Sequence, residues 1–227
     1  MIKAMNKNKV LVIAAHPDDE VLGAGGTILK HKKAGDEITV LILGEGETSR
    51  SSADIEKRER QAREATAALG AKTVLFERFP DQRFDTIALL DIVQKIERVV
   101  ETTHPDIVYT HCPYDLNMDH RIIFQATATA LRPGPTSSVK KFLTFEVLSS
   151  TEWQIRDQAN SFPPTVYEDI SDFIEEKIKI FQIYRDEVRD YPHPRSTEGI
   201  KIQAKYRGMQ VGFQYAEAFQ LIRMRNS

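Results

Sequence analysis

Cys112 is the only cysteine among 227 residues, which excludes an intrachain disulfide and a cysteine-built zinc knuckle and agrees with a reducing compartment. Charge of one sign is missing too. With 31 basic and 33 acidic residues the formal net charge is -2, so no bulk field points to nucleic acid or an anionic membrane, and a small polar substrate is easier to accommodate. No apolar run approaches the ~20 residues of a membrane span. The basic N-terminus, MIKAMNKNK, runs into only a strand-length apolar segment before His16, so a soluble, cytoplasmic protein without a signal peptide is expected. Repeats and low-complexity tracts are absent. No GxGxxG follows the first apolar run and no GxSxG occurs, which argues against a dinucleotide fingerprint and a serine nucleophile elbow.

What is present is organised around VLVIAAHPDDEVLGAGG, residues 10–26. Residues 10–15 form an unbroken apolar run, short enough for a strand buried on both faces. It discharges His16, Pro17, Asp18, Asp19 and Glu20 where the next helix should begin. Three carboxylates packed together repel and raise one another's pKa, and a divalent cation is the simplest way to offset that. His16 and Asp19 stand three residues apart across a proline, so both can bend toward one point. Imidazole nitrogen with carboxylate oxygen suits zinc or another first-row metal better than magnesium or calcium. Asp18, beside that point, is placed for a general base on water. Helix capping alone would explain one or two of the acids, but not the histidine with all three.

The length and a hydrophobic content of 41% support one large domain. Strand and helix patterns alternate through the first two thirds, predicting an α/β, Rossmann-like αβα arrangement with a mostly parallel sheet. Strands are expected at 10–15, 38–43, 73–76, 107–110 and 142–148, and helices from the HPDDE turn to Gly35 and at 55–69, 87–102 and 121–131. A polar loop at 44–54 follows the second strand's C-terminal end, where such folds bind ligands. From residue 160 the pattern changes to a proline-containing loop, a helix at 172–187, the turn YPHPRS and a helix at 198–209. This tail reads as a C-terminal cap on the same domain.

Catalytic zinc usually takes three protein ligands, so His16 and Asp19 require a third. His31 sits in a lysine-rich helix and is expected to be solvated, and His104 precedes a strand at the wrong end. His111 and His120 both follow the fourth strand on the correct side of the sheet. His120 is preferred because Asp115, Asn117 and Asp119 surround it with groups that can fix its tautomer. Arg58, Asp81 and Arg195 lie at expected strand ends or loops and are candidates for binding substrate hydroxyls or a phosphate.

AHPDDE after the first strand and DLNMDH ahead of a helix resemble the PIG-L or LmbE-like family of metal-dependent N-deacetylases. The helix ending in LG, the FPD turn, the strand into TH, the helix ending in RP, and the late HPRS and RG, VG and AEAF segments follow the same order. The resemblance implies His16, Asp19 and His120 as metal ligands, Asp18 as catalytic base, and a zinc-dependent (or ferrous) hydrolase removing acetyl from an N-acetylated amino sugar. It is compatible with a homo-oligomer. Several family members carry a histidine where this chain has Asn117, a side chain that donates a hydrogen bond to an oxyanion but cannot act as an acid near neutral pH. His193 of HPRS, ahead of His111, is then the candidate proton donor. The competing readings are a metal- or sugar-binding relative that has lost catalysis, which Asn117 keeps open, and a nucleotide-binding Rossmann-like module.

Overall fold

A computed structural model describes residues 7–49, 54–134, 137–155 and 161–226. Its frame is a seven-stranded sheet in the order β3-β2-β1-β4-β5-β7-β6. The strands are β1 (Lys9–Ala14), β2 (Glu37–Gly44), β3 (Thr73–Phe79), β4 (Ile107–His111), β5 (Lys141–Phe145), β6 (Val166–Asp169) and β7 (Ala216–Met224), and the first five run parallel. Helices α1 (Asp19–Ala34), α2 (Ile55–Ala68), α3 (Leu89–Thr103), α4 (Met118–Ala130), α5 (Ile174–Phe181) and α6 (Thr197–Met209) complete the fold, with a short 3-10 turn at Phe84–Thr86.

Alternation along β1 explains the layering. Val10, Val12 and Ala14 enter one apolar cluster with residues of α1, α2, α5 and α6, whereas Leu11, Ile13 and Ala15 enter a second with α3 and α4. A strand covered on both faces has no polar alternation to show, hence the continuous run. The chain runs from β1 through β2 to β3 on one side and then crosses back, by way of α3, to place β4 on the other side of β1. That reversal opens a crevice at the strands' C-terminal ends, where such sheets bind ligands.

Glycines let α1 lie close to the sheet. A Cβ on Gly23 would come within 2.3 Å of the Phe145 ring, and one on Gly26 within 2.7 Å of Ile170. A buried ion pair reaches the same helix. Glu217 of β7 accepts the N–H groups of Gly26 and Thr27 at 2.8 and 2.7 Å, and Lys177 of α5 donates to Glu217 at 2.6 Å and to the Leu22 carbonyl at 2.8 Å.

Several boundaries differ from the sequence expectation. α4 starts at Met118 rather than residue 121, because the Asn117 side chain accepts the Asp119 N–H at 2.9 Å and caps it. His120 therefore lies in a first helical turn. β5 ends at Phe145 instead of 148, and α5 is shorter than the expected 172–187. The tail read as a cap supplies β6 and β7 to the sheet itself, β7 pairing antiparallel with β5 on one side and β6 on the other. His31 is not solvated: its Nδ1 lies 2.7 Å from Asp36 and its Nε2 3.0 Å from the Tyr109 hydroxyl. Part of the 44–54 loop, residues 50–53, lies outside the described residues. No described helix is long and apolar enough to cross a membrane.

Candidate active site

The site gathers at the C-terminal ends of β1, β3 and β4. The turn after β1 carries His16 and Asp18, and Asp19 opens α1. Asp18 adopts φ 115°, which L residues rarely occupy. It is held there by its N–H on Glu20 at 3.1 Å and by its carbonyl, which accepts from Val21 and Leu22. The segment after β4 brings Asp115, Asn117, Asp119 and His120, and the turn after β3 brings Asp81.

Asp19 stands at the centre of an imidazole cluster. Its Oδ2 accepts the His16 N–H at 2.8 Å and lies 3.5 Å from His16 Nδ1, 3.4 Å from His120 Nε2 and 3.4 Å from His111 Nε2. Each ligand-type histidine has a second carboxylate on its other ring nitrogen. His16 Nε2 meets Asp119 at 2.9 Å and Asp81 at 3.1 Å, and His120 Nδ1 meets Asp115 at 3.2 Å. Both carboxylates are themselves anchored, Asp119 by the N–H groups of Gln82 and Phe84, and Asp115 by Ser150, Thr151 and the Asn117 N–H.

Burial disfavours charged imidazoles, but Asp119 and Asp19 outweigh it at His16, which rises to about 9. At His120, Asp19 and Asp115 outweigh burial and raise it to about 10. Burial likewise opposes ionisation of Asp19, but the His120 ring, whose proton is retained, holds its carboxyl well below the usual range. These protons are what a cation displaces when it binds such a set. The donors fit one: Asp19 Oδ1 and His120 Nε2 are buried without a hydrogen-bond partner, and two imidazoles with a carboxylate are a first-row-metal set. Among the described residues, His16, Asp19 and His120 form one group able to hold a metal, and His16, Asp81 and Asp119 another, with ligand atoms within 4.8 Å of one another.

His111, weighed above as a ligand or acid, lies behind this set. Its ring stacks on His120 at 3.9 Å, its Nε2 accepts the Ala15 N–H at 2.8 Å, and burial, then His120, depresses it to about 3. It is a neutral, fully buried packing group.

Asp18 turns away from the imidazoles. Its Oδ2 lies 2.9 Å from Arg195 Nη1 and 3.3 Å from Arg58 Nη2, and both guanidiniums also contact Glu187, at 2.8 and 3.1 Å. Burial pushes Asp18 up to about 6 against the pull of Arg195 and Arg58. Behind it, burial lifts Glu20 to about 7, where it accepts from the Tyr184 hydroxyl at 2.5 Å.

The residues expected to meet substrate face inward. Arg58 is in the first turn of α2, not at a strand end or in a loop, and its Nη2 donates to the Pro17 carbonyl at 2.7 Å. Asp81 contacts His16 and accepts from Ser49. Arg195 is the most open of the three, its side chain 18% exposed against 3% for Arg58. His193 accepts the Arg195 N–H on Nδ1 at 3.1 Å, and burial, then Arg195, lowers its pKa. Sequence reasoning missed Glu187 and the Glu20–Tyr184 pair. It assigned Asp119 to His120, whereas Asp119 holds His16. Nothing in YRDEVRD distinguishes Glu187 from a solvated helix face.

The family model described as "PIG-L: GlcNAc-PI de-N-acetylase" matches residues 11–131. The chain belongs to the PIG-L family. It is a hydrolase of the deacetylase class. Over 189 residues it is 25% identical to a probable N-acetyl-alpha-D-glucosaminyl L-malate deacetylase 2 of Bacillus anthracis, covering 79% of this chain and 81% of the relative. Among solved structures, the N,N'-diacetylchitobiose deacetylase of Pyrococcus horikoshii in complex with an inhibitor superposes with a TM-score of 0.78 at 21% identity, covering 96% of this chain and 84% of that one. The 4-carboxy-2-hydroxymuconate hydratase of Pseudomonas putida also superposes, with a TM-score of 0.75 at 23% identity and coverage of 96% and 98%. The fold therefore hosts other chemistry, and the substrate and the residue roles of this chain have to be argued from its site.

Proposed function

We propose that this PIG-L protein removes the acetyl group from an N-acetylated amino sugar of the GlcNAc type, free or linked to a nucleotide or another small group. Zinc is the proposed ion, with His16, Asp19 and His120 as its ligands and Asp18 as general base. The observation that carries this reading is the division between adjacent residues: Asp19 joins two imidazoles in a set with open donor atoms, while Asp18 beside it joins none of them. Nδ1 of His16 and Nε2 of His120 are the ring nitrogens left for the ion, since Asp119 and Asp115 face the others. The deacetylase relatives named above share an acetamido sugar in their names.

A divalent cation bound there supplies a Lewis acid, which acidifies water and polarises an acyl oxygen. The protein's own groups do the rest. Asp18 takes a proton from water as its oxygen adds to the acetyl carbon, and Arg195 and Arg58 hold that carboxylate in place. The Oδ1 of Asn117 is committed to the Asp119 N–H, which leaves Nδ2 to donate to the developing oxyanion. The C–N bond then breaks, the nitrogen leaves as a free amine with the proton returned by Asp18 or delivered by His193, and the carbon departs as acetate. Arg195 remains a candidate contact for substrate hydroxyls. Arg58 and Asp81 act through Asp18 and His16.

The test is acetate release from a panel of N-acetylhexosamines and their nucleotide conjugates by protein stripped of metal and then restored with zinc or ferrous iron. Zinc-restored release that Asp18→Ala abolishes is expected. A full panel without release in either metal would refute the reading.

A further inference from the structure

Trp153 is the sequence's only tryptophan, and it is 51% exposed. A large amphipathic ring left half in water needs a reason when most apolar side chains here find the core. Its mounting is unusually firm. The turn that carries it is fastened to Asp115 through the Ser150 hydroxyl and through the Thr151 hydroxyl at 2.6 Å, and Thr151 also accepts the Val147 N–H at 2.8 Å. Asp115 is the carboxylate on His120. On its other side the Trp153 ring stands edge-on to His193, with ring centroids 5.6 Å apart. His193 in turn accepts from the Arg195 N–H, and Arg195 holds Asp18. The exposed indole is thus tied from two directions to the group proposed to hold the ion and to the group proposed as base.

An exposed indole face suits a polyhydroxyl ring, which offers apolar C–H faces to stack on it and a polar rim left in water. We propose that Trp153 is a specificity-determining platform that stacks on a second saccharide ring, the one linked to the acetamido sugar that reacts. Contacts run in series from the indole to His193, from His193 to the Arg195 N–H and from the Arg195 guanidinium to Asp18, and this link is the ground for taking the stacked ring as the neighbour of the reacting one.

This inference rests on the deacetylase reading, and one set of measurements separates the two. Because no other tryptophan is present, indole emission of the metal-loaded protein reports on Trp153 alone. Titration with N,N'-diacetylchitobiose is expected to shift or quench that emission, and the methyl glycoside of N-acetylglucosamine to do so much less. In acetate-release kinetics, Trp153→Ala should raise KM for the disaccharide roughly fivefold to tenfold more than for the methyl glycoside, with kcat changing less than KM. Trp153→Phe, which keeps an aromatic face, should recover most of the loss. Turnover of the disaccharide with silent emission, or an equal KM change for both sugars, overturns the platform. An emission response without acetate release from either sugar supports the platform and overturns the deacetylase reading instead.

Discussion

The peptide between Asp18 and Asp19 separates two halves of one site. On one side a carboxylate is surrounded by imidazoles, and on the other by guanidiniums, with both carboxylates almost fully buried. The difference lies in what each partner can give up. An imidazolium can lose its proton and present a lone pair to a cation, whereas arginine stays charged and offers only donors. The imidazole half is therefore exchangeable for a metal, and the guanidinium half is a permanent counter-charge that keeps a free carboxylate next to it.

The largest effect should come from breaking the exchangeable half. His120→Ala is expected to lose the ion and all turnover, measured as metal content per chain and acetate release. Asp18→Asn should keep the ion while turnover falls by about 10²- to 10⁴-fold. Equal metal loss in both variants would erase the distinction between the halves. Arg58→Met removes one permanent counter-charge from a buried cluster and should cost about 3 kcal/mol of stability in urea unfolding, with metal content unchanged. Asp115→Asn should weaken metal binding by roughly 10- to 100-fold in chelator competition, because it frees the His120 ring without removing it. The smallest effect sharpens the boundary behind the imidazoles. Cys112 is buried and its burial pushes the thiol well above the ordinary range, so a thiol reagent should label it only after denaturant is added; labelling of the folded protein would mean that this half opens.

The parallel part of the sheet was legible because buried parallel strands write themselves as apolar runs, as VLVIA and ITVLIL do. β6 and β7 were not. VYED has no apolar run, and AEAFQLIRM mixes polar residues into a strand that pairs on both sides with antiparallel neighbours. The HPDD turn was legible as well, since a histidine and three acids at a strand end have few bland explanations. The carboxylates behind the histidines were harder to allot. Asp119 lies next to His120 in sequence yet serves His16, because capping by Asn117 starts α4 early and rotates the two side chains apart. The guanidinium half was legible only in part: Arg58 and Arg195 stood out, but as contacts for substrate, because Glu187, which joins them from a distant segment, looks like ordinary surface charge.

The buried pair of Lys177 and Glu217 bears on how the molecule is made. The two N–H groups of α1 that Glu217 accepts, those of Gly26 and Thr27, precede it by 191 and 190 residues. A chain emerging from the ribosome thus presents its HPDD turn long before the strand that braces the helix behind it. The brace on the helix behind the site can therefore close only after β7 has been made, well after the motif that identifies the family.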